Sequence, residues 1–109
     1  MARKPNILFI MTDQQRADHV GFMGNGVVQT PHLDSLAASG CVFENAWVSN
    51  PVCMPNRATI LTGRMPTAHG VIFNDRSLDW HANTFVRQLR ADGYRTALLG
   101  KSHLQHGMS

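Results

Sequence analysis

The sequence predicts an α/β fold in which part of a mostly parallel sheet is flanked by helices. A continuous apolar run at residues 6–11 contains β-branched and aromatic side chains, which is typical of a strand buried on both faces. Helix patterns at residues 30–40 and 84–93 are each followed by a strand pattern, at 41–48 and 94–100. Because strands that follow helices in this way favour right-handed βαβ packing, we expect a parallel sheet.

Size and charge narrow the class of protein. The 109 residues suffice for about one small domain, and a hydrophobic content of 43% is ordinary for a globular protein. The net charge of +3 is spread along the chain, which suits anionic substrates but predicts no nucleic-acid partner, since no basic stripe is present. No apolar run reaches the length of a signal peptide or a membrane span, so we expect a cytoplasmic protein without a membrane partner.

The two cysteines, Cys41 and Cys53, are twelve residues apart. Their number alone allows a disulfide, but a reducing cytoplasm favours two free thiols. Cys41 opens the strand pattern at 41–48, and we expect it to be a buried thiol without a chemical role.

A polar segment follows the first predicted strand directly. Asp13 and Gln14 lie where that strand ends, and open α/β sheets bind their ligands at the carboxyl ends of strands. A carboxylate and an amide oxygen are hard ligands that suit Ca²⁺, Mg²⁺ or Mn²⁺. The pair is therefore a candidate for holding a divalent cation, although Asp-Gln by itself also fits a solvated strand end.

The helix pattern at 30–40 has clear ends. Thr30 is in the N-cap position, Pro31 suits the first helical position and Gly40 ends the pattern. Its apolar face predicts a packing role. The glycine-rich segment at 19–29 lacks the spacing of a phosphate-binding loop, so we interpret it as a connection.

The segment at residues 50–64 contains the main candidates for catalytic residues. Pro55 suits the first turn of a helix that Gly63 ends, which places Cys53 at or just before the helix N-terminus. Free N–H groups and the helix dipole favour negative charge there, and Arg57 adds a cation on the same face. These residues predict a nucleophile beside an anion site. A lone cysteine of this kind also fits a buried position on a core helix, with Arg57 paired to a surface carboxylate.

Two later segments hold further candidates. Residues 64–80 have the composition of a loop, from which His69, Asn74 and Asp75 are able to line a site. Lys101 and His103 follow the strand pattern at 94–100, and both point into one site if the extended conformation continues through them. A lysine supplies charge to an oxyanion and a histidine moves protons near neutral pH, although Lys-x-His alone also fits a surface loop.

The motif Cys53-x-Pro55-x-Arg57, continued by Leu61-Thr62-Gly63-Arg64, resembles the signature of the formylglycine-dependent sulfatases of the alkaline phosphatase superfamily. The resemblance implies that a formylglycine-generating enzyme oxidises Cys53 and that the hydrated aldehyde attacks the substrate. It also implies that Arg57 holds that hydrate in place.

Two other stretches extend this resemblance. Gly100-Lys101-Ser102-His103 is similar to the Gly-Lys-x-His stretch of sulfatases, which implies that Lys101 contacts the sulfate and that His103 hydrogen-bonds the nucleophile. Asp13 and Gln14 match positions that bind one divalent cation, with Ca²⁺ favoured over Mg²⁺ or Mn²⁺ and with the modified Cys53 as a further ligand.

The resemblance implies a sulfuric ester hydrolase acting on a small-molecule or carbohydrate sulfate ester. It implies that residues 1–109 are the N-terminal part of a longer alkaline phosphatase-like catalytic domain, with an incomplete sheet. Further metal ligands and the leaving-group acid lie beyond residue 109 in that family, so we expect the chain alone to be inactive. Two alternatives stay open: a phosphonate or phosphodiester hydrolase of the same superfamily, which Gln14 also allows, and a non-catalytic binding chain.

Overall fold

A computed structural model describes residues 4–106 of the chain. In this range the chain forms a short 3₁₀ helix and four α-helices, which are Gly21–Met23 (3₁₀), Pro31–Ser39 (α1), Cys53–Thr62 (α2), Pro66–His69 (α3) and Phe85–Ala91 (α4). The residues divide into two compact units, one that ends at Ala46 and one that begins at Trp47. Between residues 4 and 106 no helix is both long enough and apolar enough to cross a bilayer.

Three helices occur where the sequence predicts them. The first position of α1 is Pro31 and Gly40 follows its last residue, as expected. At the start of α4 the Thr84 side chain accepts a hydrogen bond from the Arg87 backbone N–H. The last residue of α2 is followed by Gly63 at φ 66°, a left-handed conformation that glycine adopts without steric cost.

The segment at 64–80, which was expected to be a loop, contains α3. Its signals are Pro66 at the first helical position and Gly70, in the left-handed conformation at φ 78°, directly after its last residue. The combination of proline at the start and glycine at the end marks a helix even when only four residues lie between them. The interpretation of this segment as a loop was therefore wrong over Pro66–His69.

The predicted sheet is not formed within residues 4–106. The three runs expected to be strands, 6–11, 41–48 and 94–100, have irregular backbone, and apolar side chains in them are exposed, with Leu8 84% and Leu99 94% accessible. A strand is stabilised by hydrogen bonds to neighbouring strands, and none of these runs is part of a strand ladder within the described residues. An apolar pattern predicts that a segment can become a strand, but it does not supply the partner.

The unit before Ala46 is organised by polar contacts at the start of α1. Asp34 Oδ1 accepts hydrogen bonds from the Phe22 N–H at 2.8 Å and the Thr30 hydroxyl at 2.9 Å, and Thr30 Oγ1 accepts from the Gly21 N–H at 2.8 Å. Thr30 thus occupies the N-cap position, but its side chain bonds to the 3₁₀ helix and to Asp34 instead of capping α1. A side chain at Gly21 would collide with the Asp34 carboxylate, so a larger residue there would require the Asp34 side chain to shift. Cys41, expected to be buried, is exposed in this unit.

The unit from Trp47 onward has a small apolar core beneath α2. Met54 and Ala58 are fully buried, and they pack with Val71 and Leu78, which are 1% and 5% exposed. The Leu78 N–H donates to the Leu104 carbonyl at 2.8 Å, which fastens the segment after His103 to the same core. The core therefore positions the residue next to Cys53 and the segment that carries His103.

Candidate active site

Cys53 is the first residue of α2. The residue before it, Val52, has extended backbone, and its N–H donates to Asn50 Oδ1 at 2.8 Å, so the chain turns sharply into the helix. Cys53 is half-buried and Cys41 is exposed, and both thiols are free. The helix N-terminus directs N–H groups and a positive dipole end toward this position, which favours an anionic nucleophile or oxyanion.

The first turn of α2 is capped by a residue from a distant loop. Val52, in the N-cap position, has no side-chain acceptor, and Pro55 has no N–H to satisfy. Asn74, twenty residues further along the chain, accepts a hydrogen bond through Oδ1 from the Met54 N–H at 3.0 Å. Of the three loop residues that the sequence suggested, Asn74 thus contacts the residue after Cys53, although Asn74 and Asp75 are both exposed.

Arg57 joins α2 to the segment that carries two other candidates. Its side chain is only 7% exposed, and Nη1 donates to the Lys101 carbonyl oxygen at 2.7 Å, across 44 residues of sequence. A hydrogen bond from a guanidinium is about twice as strong as one between neutral groups. Residues 101–103 are therefore fastened to the helix that begins at Cys53, and the Lys101 side chain is exposed there.

His103 differs from its expected conformation. Its φ is 47°, so the backbone is left-handed rather than extended, and Gly100 is left-handed as well, at φ 86°. The extended path that was expected to align Lys101 with His103 is therefore wrong. The ring of His103 nevertheless presents a buried Nδ1 that has no hydrogen-bond partner among residues 4–106. Buried polar atoms are nearly always paired, so this nitrogen is an unusual feature of the described residues.

Asp13 and Gln14 belong to the unit that ends at Ala46, and both are exposed. Gln14 has left-handed backbone, with φ 54°. Among the non-glycine residues of the described range, only Gln14 and His103 have this conformation. Left-handed backbone is uncommon for residues other than glycine.

The donor atoms of Asp13 and Gln14 have the right chemistry for a hard divalent cation but are too few. Ca²⁺ takes six to eight oxygen ligands. In the part of the chain that the structure describes, no group of three or more histidine, cysteine or acidic side chains converges on a possible metal position. The two residues thus fit such a cation as part of its ligand set, and they do not complete one.

His69 contributes a contact that sequence reasoning missed. Its Nδ1 accepts from the Val71 N–H at 3.1 Å, which leaves the proton on Nε2, and Nε2 lies 2.9 Å from Thr59 Oγ1 on α2. The Ser49 hydroxyl donates to the same Thr59 oxygen at 3.1 Å. His69 thereby holds α3 against the middle of α2. An open pocket of about 330 Å³ beside His69 is also lined by Thr62, so it lies toward the end of α2 opposite Cys53.

Protonation of His69 should destabilise this unit. Burial, and secondarily the charge of Arg64, lower the pKa of the imidazole. The unfolded chain therefore takes up a proton first, and stability should fall as the pH drops below about 6.5, the ordinary histidine value. We expect urea unfolding at pH 7.5 and 5.5 to show this loss in the wild type and a smaller loss in His69→Asn. Equal pH dependence in the two proteins would contradict a role for His69.

Comparison with known proteins identifies the family. The chain matches the family model described as Sulfatase over residues 5–108. It is 45% identical over 101 residues to an ulvan-active sulfatase of Formosa agariphila and 41% identical over 102 residues to an arylsulfatase of Clostridium perfringens. It is also 36% identical over 102 residues to an N-acetylglucosamine-6-O-sulfatase of Bacteroides thetaiotaomicron. No solved structure matches it significantly.

These matches cover nearly all of this chain, at 93%, 93% and 94%, but only 20%, 21% and 18% of the three relatives. The chain therefore spans about one-fifth of their length. The family match includes the whole cysteine motif and the Lys101–His103 segment, as well as Asp13 and Gln14. Sequence motif, helix geometry and family match agree, and the chain belongs to the sulfatase family.

Proposed function

We propose that the protein hydrolyses a sulfate ester, with a formylglycine made from Cys53 as its nucleophile. The observation that carries the proposal is the arrangement around α2. Residue 53 begins a helix whose first turn is capped, and Arg57, one turn on, is buried and bonded to the segment that holds Lys101 and His103. Family membership supports the same reaction class.

Each residue has a chemical role in this proposal. A hydroxyl of the hydrated aldehyde at position 53 attacks sulfur, the bond from sulfur to the alcohol oxygen breaks, and the alcohol leaves with a proton. The remaining hydroxyl then loses its proton, the aldehyde C=O re-forms, and sulfate is expelled. Arg57 and Lys101 stabilise the charge on the transferring group, and the free Nδ1 of His103 hydrogen-bonds the attacking group.

A divalent cation, for which we propose Ca²⁺, would supply Lewis-acid polarisation of the sulfate. Asp13 and Gln14 would bind it through hard oxygen atoms, together with residue 53. Because these ligands do not complete a coordination shell, we propose that the 109-residue chain alone is inactive or nearly so. Three relatives are named for activity on ulvan, for aryl sulfates and for N-acetylglucosamine 6-O-sulfate, so a small-molecule or carbohydrate sulfate ester is the proposed substrate class.

Tandem mass spectrometry tests the nucleophile directly. Trypsin should release residues 17–57 as one peptide from full-length protein made aerobically in its own host, since no lysine or arginine interrupts it. The peptide contains both cysteines, so Cys41 is an internal control. We expect formylglycine at position 53 and an unchanged Cys41. An unmodified Cys53 throughout would favour a non-catalytic chain of the same family.

Parallel assays test the reaction. We expect the full-length protein to cleave an aryl sulfate faster than the matching aryl phosphonate ester in the presence of Ca²⁺. A reversed preference would assign the protein to phosphonate or phosphodiester hydrolysis. No hydrolysis of either ester with Ca²⁺, Mg²⁺ or Mn²⁺ would overturn the enzymatic proposal.

A further inference from the structure

Asn74 makes a contact at the nucleophile that the proposed reaction does not use. Its side-chain Oδ1 accepts the Met54 N–H at 3.0 Å, one residue after Cys53. Within residues 4–106 no other side chain caps the first turn of α2, because Val52 offers no acceptor there and Pro55 has no N–H to bind. Loss of this bond leaves a helix N-terminal N–H without its protein partner.

The loop that carries Asn74 is anchored on both sides. Val71 precedes it and Leu78 follows it, and both are buried in the cluster that contains the fully buried Met54. Leu78 also donates its N–H to the Leu104 carbonyl at 2.8 Å, so the loop is joined to the residue that follows His103. Asn74 itself is exposed, but the surface loop that carries it is held at both ends by buried side chains.

We propose that Asn74 is a positioning residue for the nucleophile, an inference that rests on the proposed function of Cys53. By holding the Met54 amide, Asn74 fixes the first turn of α2 and thus the direction in which the side chain of residue 53 leaves the helix. It touches neither substrate nor reacting atoms. Displacement of a reacting group by about 1 Å is enough to cost on the order of 10²-fold in rate, so this hydrogen bond bears on turnover.

The test compares Asn74→Ala, which removes the acceptor, with Asn74→Asp, which keeps an oxygen acceptor and adds a charge that a helix N-terminus favours. In full-length protein we expect the alanine variant to lose roughly 10- to 100-fold in kcat with little change in KM, and the aspartate variant to stay within a few-fold of the wild type. Formylglycine content should be equal in all three proteins, as measured by mass spectrometry.

Asn25→Ala is the matched control. Asn25 Oδ1 also accepts backbone N–H groups, those of Val27 and Val28 at 3.0 and 2.8 Å, but it lies in the unit that ends at Ala46. We expect this variant to keep the wild-type kcat. Equal losses in the Asn25 and Asn74 variants, or equal losses in Asn74→Ala and Asn74→Asp, would overturn the proposal, because the effect would then not depend on the acceptor at the nucleophile.

A second readout does not depend on catalysis. Exchange of the Met54 amide hydrogen should be faster in Asn74→Ala than in the wild type and near normal in Asn74→Asp. If the wild type is inactive but its Met54 amide hydrogen exchanges slowly, the proposed function is contradicted and the hydrogen bond between Asn74 and Met54 is not. Unchanged exchange in the alanine variant would overturn the role of Asn74. If the alanine variant fails to fold, Asn74→Gln takes its place, since it displaces the side-chain amide by one methylene. An unchanged kcat in the glutamine variant would also overturn the role of Asn74.

Discussion

Replacement of Cys53 with alanine should abolish sulfate ester hydrolysis in the full-length protein. Removal of a covalent nucleophile costs several orders of magnitude in kcat, and we expect a loss of at least about 10⁴-fold. The fold should be retained, because Cys53 is only half-buried at a helix end and makes no disulfide. Steady-state assays with an aryl sulfate, combined with thermal unfolding, would separate lost chemistry from lost structure.

Cys41→Ala is the matched control for this experiment. Cys41 is a free thiol like Cys53, but it is exposed and lies in the other unit. Its replacement should leave kcat within about two-fold of the wild type, as is usual for surface positions without special contacts. A Cys53→Ala protein that keeps most of its activity would show that residue 53 is not the nucleophile.

The second large effect is expected at Arg57. Arg57→Met keeps much of the buried volume but removes the charge and the hydrogen bond to the Lys101 carbonyl. Loss of a charged hydrogen bond costs roughly 1.5 to 3 kcal/mol of stability, and loss of a group that stabilises transition-state charge costs about 10²- to 10³-fold in kcat. We therefore expect both the free energy of unfolding and kcat to decrease.

The variant Arg57→Lys separates the effect of the charge from that of the guanidinium geometry. A lysine keeps the positive charge but lacks the planar guanidinium, so it should not recover both the Lys101 contact and the charge at the nucleophile. The exposed Arg90 on α4 serves as a control, since Arg90→Lys should change neither stability nor kcat appreciably. Full activity in Arg57→Lys would mean that only net charge matters at this position.

Several features of the site were predictable from local sequence. Cys53 at the start of α2 follows from Pro55 in the first turn and Gly63 after the last, because these residues act through their own backbone conformations. Arg57 was predicted on the same grounds to project near Cys53, one helical turn away. Gln14 and His103 were also selected from local sequence, and their roles in a site stay predictions.

Other features were not predictable in the same way. The apolar runs at 6–11 and 94–100 have the composition of buried strands, yet they form none within residues 4–106. Strand formation depends on a partner that no local pattern specifies. Cys41 is exposed for a related reason, since its burial was inferred from the strand it was expected to open.

The sequence by itself determined the positions of α1, α2 and α4, but not of α3, because the capping residues of those three helices act locally. It also contained the motif around Cys53 that indicated the sulfatase family. Only the tertiary structure decided that Asn74 caps α2 and that Arg57 binds the Lys101 carbonyl, contacts that span 20 and 44 residues. Such contacts arise where the core of Met54, Val71 and Leu78 brings distant segments together. Burial of apolar side chains selects that arrangement, and the polar contacts at the site form within it.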